Sequence, residues 1–388
     1  MSKGDIALKE LLLVRYGEIF LKGLNRPYFM RALVQKVRYA VKDLGADVWI
    51  HDGRIFVDGF SDLDLCIERV TKVFGVHSVC PAVEMPKDNF EDICEQAVRL
   101  TKDLQGTFKV NARRSDKHYP MESPEINAEI GGRVLEANTA LKVDVHHPEH
   151  VLNVEIRDRV YLYVRVIPAV GGMPVGTNGR ATLLLSGGID SPVAGWMIAK
   201  RGVHINAVHF HSYPYTSEQA REKVLDLARK LSYSCCGIQV HIVPFTEIQL
   251  QIRDHCPEEY TTLIMRRFMM RIAERVARNT ESLGLITGES IGQVASQTME
   301  AMATTNSVVS MPVYRPLIGF DKSEIIDIAK KIDTYDLSSL PYEDCCTIFT
   351  PKHPVTRPRI EKVEEAEKVL DADRLIEDAV NHIEIVSV

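Results

Sequence analysis

The sequence lacks an apolar run long enough to cross a membrane, since none reaches the roughly 18–20 residues a spanning helix requires. Its first ten residues, MSKGDIALKE, lack the apolar centre of a secretory signal. Both absences point to a cytoplasmic protein with no membrane partner. In that compartment the eight cysteines, Cys66, Cys80, Cys94, Cys235, Cys236, Cys256, Cys345 and Cys346, are expected to stay mostly reduced. None belongs to a C-x-x-C pair, so zinc and iron–sulfur ligation are not expected, and no metal site is assigned to the side chains. The chain also lacks a basic balance: 47 Lys and Arg face 53 Asp and Glu, a net charge of −6, which does not mark a nucleic-acid binder as a whole. It has no G-x-x-x-x-G-K-[ST], so the lysine-bearing nucleotide loop is not present, and Ser186 does not sit in a G-x-S-x-G, so it is not on a hydrolase nucleophile elbow.

What is present is unevenly distributed. Residues 1–180 carry 25 basic and 25 acidic side chains, so the acidic excess lies in the second half. Within the neutral half, residues 15–42 hold Arg15, Lys22, Arg26, Arg31, Lys36, Arg38 and Lys42 against one acid, Glu18. By charge alone this strip fits a solvated helix face as well as a phosphate-facing one.

A length of 388 residues suits about two to three domains. LKELLLVRY (8–16) reads as an apolar strand, RPYFMRALVQKVRYAVKDLG (26–45) as a helix stopped by Gly45, and ADVWIHDGRIFVDG (46–59) as a hairpin turning at Asp52-Gly53. A helix over 61–73 completes a small α+β unit. A second α+β unit follows: helix, the strand TFKVNARRS, helix, and a hairpin turning at Arg157-Asp158. The glycine-rich stretch VGGMPVGTNG (170–179) reads as a linker. Beyond it strands and helices alternate, from TLLLSGG through VHINAVHFH and IQVHIVPF to GLITGES, which predicts a parallel sheet covered by helices. The tail reads as acidic and helical.

The stretch LLLSGGIDSPVAGW (183–196) falls in the first strand-to-helix turn of that sheet. Ligands of such sheets bind at the carboxyl ends of the strands. Gly187 and Gly188 permit close approach of backbone N–H groups, and Pro192 suits a first helical turn. A helix start offers unpaired N–H groups and partial positive charge, an arrangement made for phosphate.

SGGIDS resembles the PP-loop of ATP pyrophosphatases, enzymes that adenylate a substrate and release pyrophosphate. RYGEIFLKGLNRPYF (15–29), LLLSGGIDSPVAGW and EDCCTIFTPKHPVTRP (343–358) occur in the order found in the ThiI family of tRNA 4-thiouridine synthetases. The resemblance covers nearly the whole chain. It implies an N-terminal ferredoxin-like domain (1–60), a THUMP RNA-binding domain (61–168), a linker (169–180) and a PP-loop domain (181–388). Some members add a rhodanese domain, for which this chain leaves no room after its acidic tail.

The implied activity is ATP-dependent sulfur transfer to tRNA. ATP with Mg²⁺ would adenylate O4 of the uridine at position 8, and a protein persulfide charged by a cysteine desulfurase would deliver sulfur to C4. AMP is a far better leaving group than a carbonyl oxygen. By motif matching, Ser186, Gly187, Gly188 and Ser191 would cradle phosphate, with Asp190 holding the cation or orienting the loop. Asp190 read without the family could also be a helix cap. Leu184, Leu185, His209, Phe210, Arg266, Gly288 and Gln297 would complete the ATP site, and Lys322 would assist adenylation. Taken singly, Leu184 and Phe210 also suit a core, Arg266 a surface helix and Lys322 a solvated helix start. Cys346 would carry the sulfur as a thiolate, although Glu343 and Asp344 would tend to raise its pKa. Lys109, Arg113, Arg114 and Lys117 would meet tRNA phosphates. Another PP-loop enzyme, such as a lysidine synthetase or an amide-forming ligase, and a non-catalytic RNA-binding protein are the alternatives. The oligomeric state, a homodimer included, and a role in thiamine thiazole synthesis stay open.

Overall fold

The computed structural model describes residues 8–342 and 345–388, apart from the side chains of Cys346 and Thr347. The chain divides into two compact units, Met1–Gly171 and Gly172–Val388.

The first unit runs β1 (Lys9–Tyr16), α1 (Arg26–Ala40), β2 (Asp47–His51), β3 (Arg54–Asp58), α2 (Leu63–Thr71), β4 (Val76–Met85), α3 (Phe90–Thr101), β5 (Gly106–Arg114), α4 (Ser123–Ala137), β6 (Leu141–Val143), β7 (His150–Ile156), β8 (Val160–Tyr163) and β9 (Ile167–Pro168). Leu11 to Val14 of β1 are all buried, as the apolar run LLLV requires of a central strand. Helix α1 opens with Pro27 in its first turn and buries Phe29, Met30, Leu33, Val34 and Val37, a stripe at helical spacing. Asp52 and Gly53 both take positive φ, 45° and 69°, so they form the tight two-residue turn between β2 and β3. Among the described residues the sheet order is β2-β3-β1-β4-β8-β7-β5-β6, with β9 beside β4. Strand β4 bonds β1 on one side and β8 on the other, so a single sheet runs through both α+β layers. The β7–β8 turn spans three residues, 157–159, one more than the Arg157-Asp158 turn expected.

The second unit runs β10 (Arg180–Leu184), α5 (Asp190–Ala199), β11 (His204–His211), α6 (Glu218–Cys235), β12 (Gln239–Pro244), α7 (Thr246–His255), α8 (Thr261–Asn279), β13 (Leu285–Ile286), α9 (Met299–Asn306), β14 (Val313–Tyr314), α10 (Lys322–Lys331), α11 (Tyr335–Ser338), α12 (Cys345–Ile348), α13 (Ile360–Glu367), α14 (Ala372–Asn381) and β15 (Glu384–Ser387). The sheet order is β14-β13-β10-β11-β12-β15, parallel from β14 to β12 and antiparallel only at β15. The acidic tail is therefore helical only in part, since its last residues close the sheet edge. The glycine-rich stretch packs on this unit: Met173 and Val175 are buried, and the Met173 and Gly176 N–H groups donate to the Lys200 and Gly202 carbonyls at 2.9 and 2.8 Å.

Two features set the position of the site. Helix α5 is apolar nearly all round and buried from Ser191 to Trp196, so it is an interior helix. Gly195 lets it lie against β10, because a Cβ there would stand 2.6 Å from Leu183 Cδ2. Its N-terminus is thereby fixed beside the carboxyl ends of β10 and β13. Among the described residues no helix is long and apolar enough to cross a membrane.

Candidate active site

The turn from β10 to α5 is tied together by its serines. The Ser186 N–H donates to Ser191 Oγ (2.9 Å), the two hydroxyls lie 3.1 Å apart, and the Gly188 N–H donates to Ser186 Oγ (3.2 Å). Helix α5 has Ile189 at its N-cap and no side-chain cap, so its first turn keeps the anion-binding character of an uncapped helix start. Gly288, after β13, presses on that start from behind. A Cβ there would lie 2.7 Å from Ser191 N and 2.8 Å from the Asp190 carbonyl carbon.

Asp190 does not cap the helix. Its Oδ1 accepts from Lys322 Nζ at 2.6 Å and its Oδ2 from Gln293 Nε2 at 2.8 Å. Lys322 opens α10, whose cap is Asp321 in a capping box with Glu324, so the lysine is free of capping duty and reaches the carboxylate. A second ionic group stands beside it. Glu289, 4 % exposed, pairs with Arg266 (3.0 Å) and Arg315 (2.7 Å) and accepts from Thr287 Oγ1 (2.9 Å). Burial pushes the Glu289 carboxyl up, but the two guanidinium groups outweigh it and hold the acid below its ordinary range. The Arg266 guanidinium also donates to the Ser296 carbonyl and hydroxyl, and Gln297 Oε1 accepts from the Ser290 N–H, which ties down the 290–297 loop.

These groups surround a cavity of about 410 Å³. Leu184, Leu185, Ser186, Asp190 and Ser191 form one wall. His209, Phe210, Arg266, Gly288 and Gln297 form others, so the structure brings together ten of the residues singled out from sequence. Gly187, Gly188 and Lys322 lie just outside the lining, the glycines within the loop and the lysine behind Asp190. His209 is buried and its Nδ1 donates to the Leu185 carbonyl (3.1 Å), fixing the ring across the strand ends. Cys345 also lines the cavity, with its carbonyl held by Gln249 Nε2 at 2.8 Å. The Cys346 side chain, and all of Glu343 and Asp344, lie outside the described residues.

Lys223, Glu289, Gln293 and Arg315 escape sequence reasoning. Lys223 on α6 is 5 % exposed, a Cβ on Gly187 would lie 3.6 Å from its Nζ, and that Nζ donates to the Leu340 carbonyl at 2.8 Å. Nothing in EKVLDLARK separates this lysine from its exposed neighbours. Glu289 could have been suspected, since it follows Gly288 in a motif already noted.

In the first unit, β5 separates the basic candidates by strand alternation. Lys109 and Arg113 share the face opposite Phe108 and Ala112, which enter the core. Arg114 points to the core side and donates to the Lys117 and Tyr119 carbonyls at 3.3 and 3.0 Å, so it holds the following loop. Lys117 is exposed. The 15–42 strip also divides. Arg15 bonds inward to Tyr163, whereas Arg31, Arg38 and Lys42 are exposed, although Arg38 also donates to the Val48 carbonyl. Among the described residues no group of three or more His, Cys, Asp and Glu is disposed to hold a metal ion.

Three family models match the chain in sequence: the ThiI ferredoxin-like domain over residues 11–80, the THUMP domain over 87–165 and Thiamine biosynthesis protein (ThiI) over 176–372. A relative from Acetivibrio thermocellus, named Probable tRNA sulfurtransferase, is 52% identical over 390 residues, covering 98% of this chain and 99% of its own. One of the same name from Caldanaerobacter subterraneus subsp. tengcongensis is 53% identical over 373 residues, covering 96% and 98%. A crystal structure of a 4-thiouridine synthetase–RNA complex with bound ATP superposes with a TM-score of 0.91 at 40% identity, covering 98% of this chain and all of that one. PH1313 from Pyrococcus horikoshii shares the fold at a TM-score of 0.65 and 24% identity, over 84% of this chain and 99% of that one. With its ferredoxin-like, THUMP and PP-loop parts in this order and a serine-tied loop at the end of β10, the chain belongs to the ThiI family.

Proposed function

We propose that this protein is an ATP-dependent tRNA sulfurtransferase that converts the uridine at position 8 to 4-thiouridine. One observation carries the reading: the uncapped start of α5 and Cys345, the neighbour of Cys346, border the same cavity. The names of the relatives and the ATP and RNA of the superposed synthetase support it.

In this reading the loop 186–191 wraps the β- and γ-phosphates, with the first-turn N–H groups of α5 as the donors. O4 of the uridine attacks the α-phosphorus, and pyrophosphate leaves. Lys322 neutralises charge that develops on the departing group. Arg266 is held by Glu289 and Ser296, so its remaining donors are pre-aimed at the nucleotide. A sulfur nucleophile then adds to C4, and AMP departs with the old O4. Mg²⁺ would be held by Asp190 together with nucleotide phosphates, since Asp190 pairs with one half-exposed lysine whereas buried Glu289 is engaged by two arginines. When bound, the ion would offset phosphate charge, and Lys322 would shift from Asp190 toward the substrate.

Cys346 is the proposed persulfide carrier, charged by a cysteine desulfurase in the cytoplasm. Cys256 is poorly suited to resolve it: burial pushes its thiol up to about 11, and its Sγ donates to the Ala366 carbonyl at 3.5 Å. An external thiol closes the cycle: it either breaks the protein–tRNA disulfide left when the outer sulfur of the persulfide adds to C4, or first reduces the persulfide and releases sulfide, which adds instead. Lys109, Arg113 and Lys117 are proposed tRNA phosphate contacts. The sequence-based divisions at 60, 168 and 180 and the homodimer belong to the same proposal. The test separates the two half-reactions. Asp190→Ala should abolish tRNA-dependent pyrophosphate release while tRNA affinity stays within a few-fold. Cys346→Ser should release pyrophosphate and thiolate only when sulfide is supplied. Normal release by Asp190→Ala, or desulfurase-driven thiolation by Cys346→Ser, would contradict these roles.

A further inference from the structure

Beyond the carboxyl end of β11, outside the nucleotide cavity, lies a group of rings that the roles above do not use. Tyr213 is 64 % exposed and Tyr215 44 %. Tyr215 meets Phe349 edge to face, with centroids 5.2 Å apart and planes at 65°. The Arg253 guanidinium lies over the Phe349 ring at 5.5 Å. The loop carrying the tyrosines is pinned. Buried Ser212 accepts from the Tyr215 and Thr216 N–H groups and donates its own N–H to Thr216 Oγ1, and Thr246 Oγ1 holds the Tyr213 carbonyl.

The cluster is continuous with the cysteine segment. Phe349 is the first residue after α12, which begins at Cys345. Helix α7 grips both ends of that segment with residues one turn apart. Gln249 holds the Cys345 carbonyl at 2.8 Å, and Arg253, at i+4, covers Phe349. Tyr215 is exposed and Phe349 half-buried, and surface rings paired with an arginine plane are poor material for a core. They are the combination on which unstacked bases settle, since every base has a π-face.

Given the thiolation reading, we propose that Tyr215, Phe349 and Arg253 form the platform that receives the unstacked target pyrimidine and presents its C4 to the cysteine segment and the nucleotide. A base in a tRNA must leave its stack before O4 can meet the α-phosphorus, and a ring three residues past Cys346 is placed to hold it. The platform reads a π-face, not a base edge, so it positions the substrate without selecting uracil.

The test uses full-length protein and unmodified tRNA. Phe349→Ala and Tyr215→Ala should lower kcat/KM for tRNA-dependent pyrophosphate release on the order of tenfold, while ATP binding without tRNA stays within twofold. Phe349→Tyr should restore release, because the ring face is kept. ATP binding by each variant reports its folding. Unchanged release in both alanine variants overturns the platform. Loss confined to desulfurase-driven thiolation, with pyrophosphate release and sulfide-driven thiolation intact, also overturns it and makes the rings a docking surface for the sulfur donor. Absence of tRNA-dependent release in the unaltered protein would instead refute the thiolation reading itself.

Discussion

Gly288→Ala is the smallest change that reaches the centre of the proposed ATP site. The added methyl would sit 2.7 Å from Ser191 N and 2.8 Å from the Asp190 carbonyl carbon, against 3.4–4 Å for an ordinary contact. Both atoms are backbone at the start of α5, so no side chain can swing aside. Either the helix start or the end of β13 must move by several tenths of an ångström. Overpacking of this kind costs about 1–3 kcal/mol. In a unit of this size each kcal/mol lowers Tm by about 2–4 °C, so the melting point should fall by about 2–12 °C. The same displacement moves the N–H groups proposed to hold phosphate. Losing one hydrogen bond to a charged oxygen costs about 1.5–3 kcal/mol, or about 10–150-fold in ATP affinity. Calorimetric titration with ATP and a thermal melt measure the two effects on one sample. Gly319→Ala is the control, because nothing lies within 4 Å of the added Cβ, and both quantities should stay unchanged. ATP binding and melting of Gly288→Ala indistinguishable from the unaltered protein would refute the placement of phosphate at this helix start.

Glu289→Gln removes the carboxylate shared by Arg266 and Arg315 and should destabilise the protein by about 3–5 kcal/mol, read by urea unfolding of the variant against the unaltered chain. Lys109→Ala should weaken tRNA binding and flatten its salt dependence, whereas Arg114→Ala should lower Tm, since its guanidinium holds the Lys117 and Tyr119 carbonyls. Burial lowers the His241 pKa below the ordinary 6.5. The unfolded chain therefore takes up a proton first as pH falls through about 6.5, so stability declines from there downward, and His241→Gln should make the melting point less steeply pH-dependent between pH 7 and 5.

Much of the site was legible because its residues are local in sequence. The loop 186–191 needs only a strand, two glycines and a helix start, and His209 and Phe210 sit where a parallel strand ends. The partners of those residues were not legible, because they are set by packing across the sheet. Lys322 reaches Asp190 across 132 positions, and Glu289 finds Arg315 and Arg266 only after β13 lies beside β10. In the fold, β4 is not legible as a strand because Pro81 interrupts its apolar run, yet Pro81 faces Leu12 within the β1–β4 pairing. Helix α7 was hidden by its short length directly after an apolar strand. Strand β15 was read as helical tail because β12, which defines it as an edge strand, lies more than a hundred residues away.

The central claim is tested most directly by mass spectrometry of nucleosides from unmodified tRNA after incubation with the protein, ATP, Mg²⁺, a cysteine desulfurase and cysteine. The expected result is 4-thiouridine at position 8, formed only when ATP is present. ATP consumed with the uridine at position 8 unchanged, or sulfur found at another nucleoside, would contradict the account.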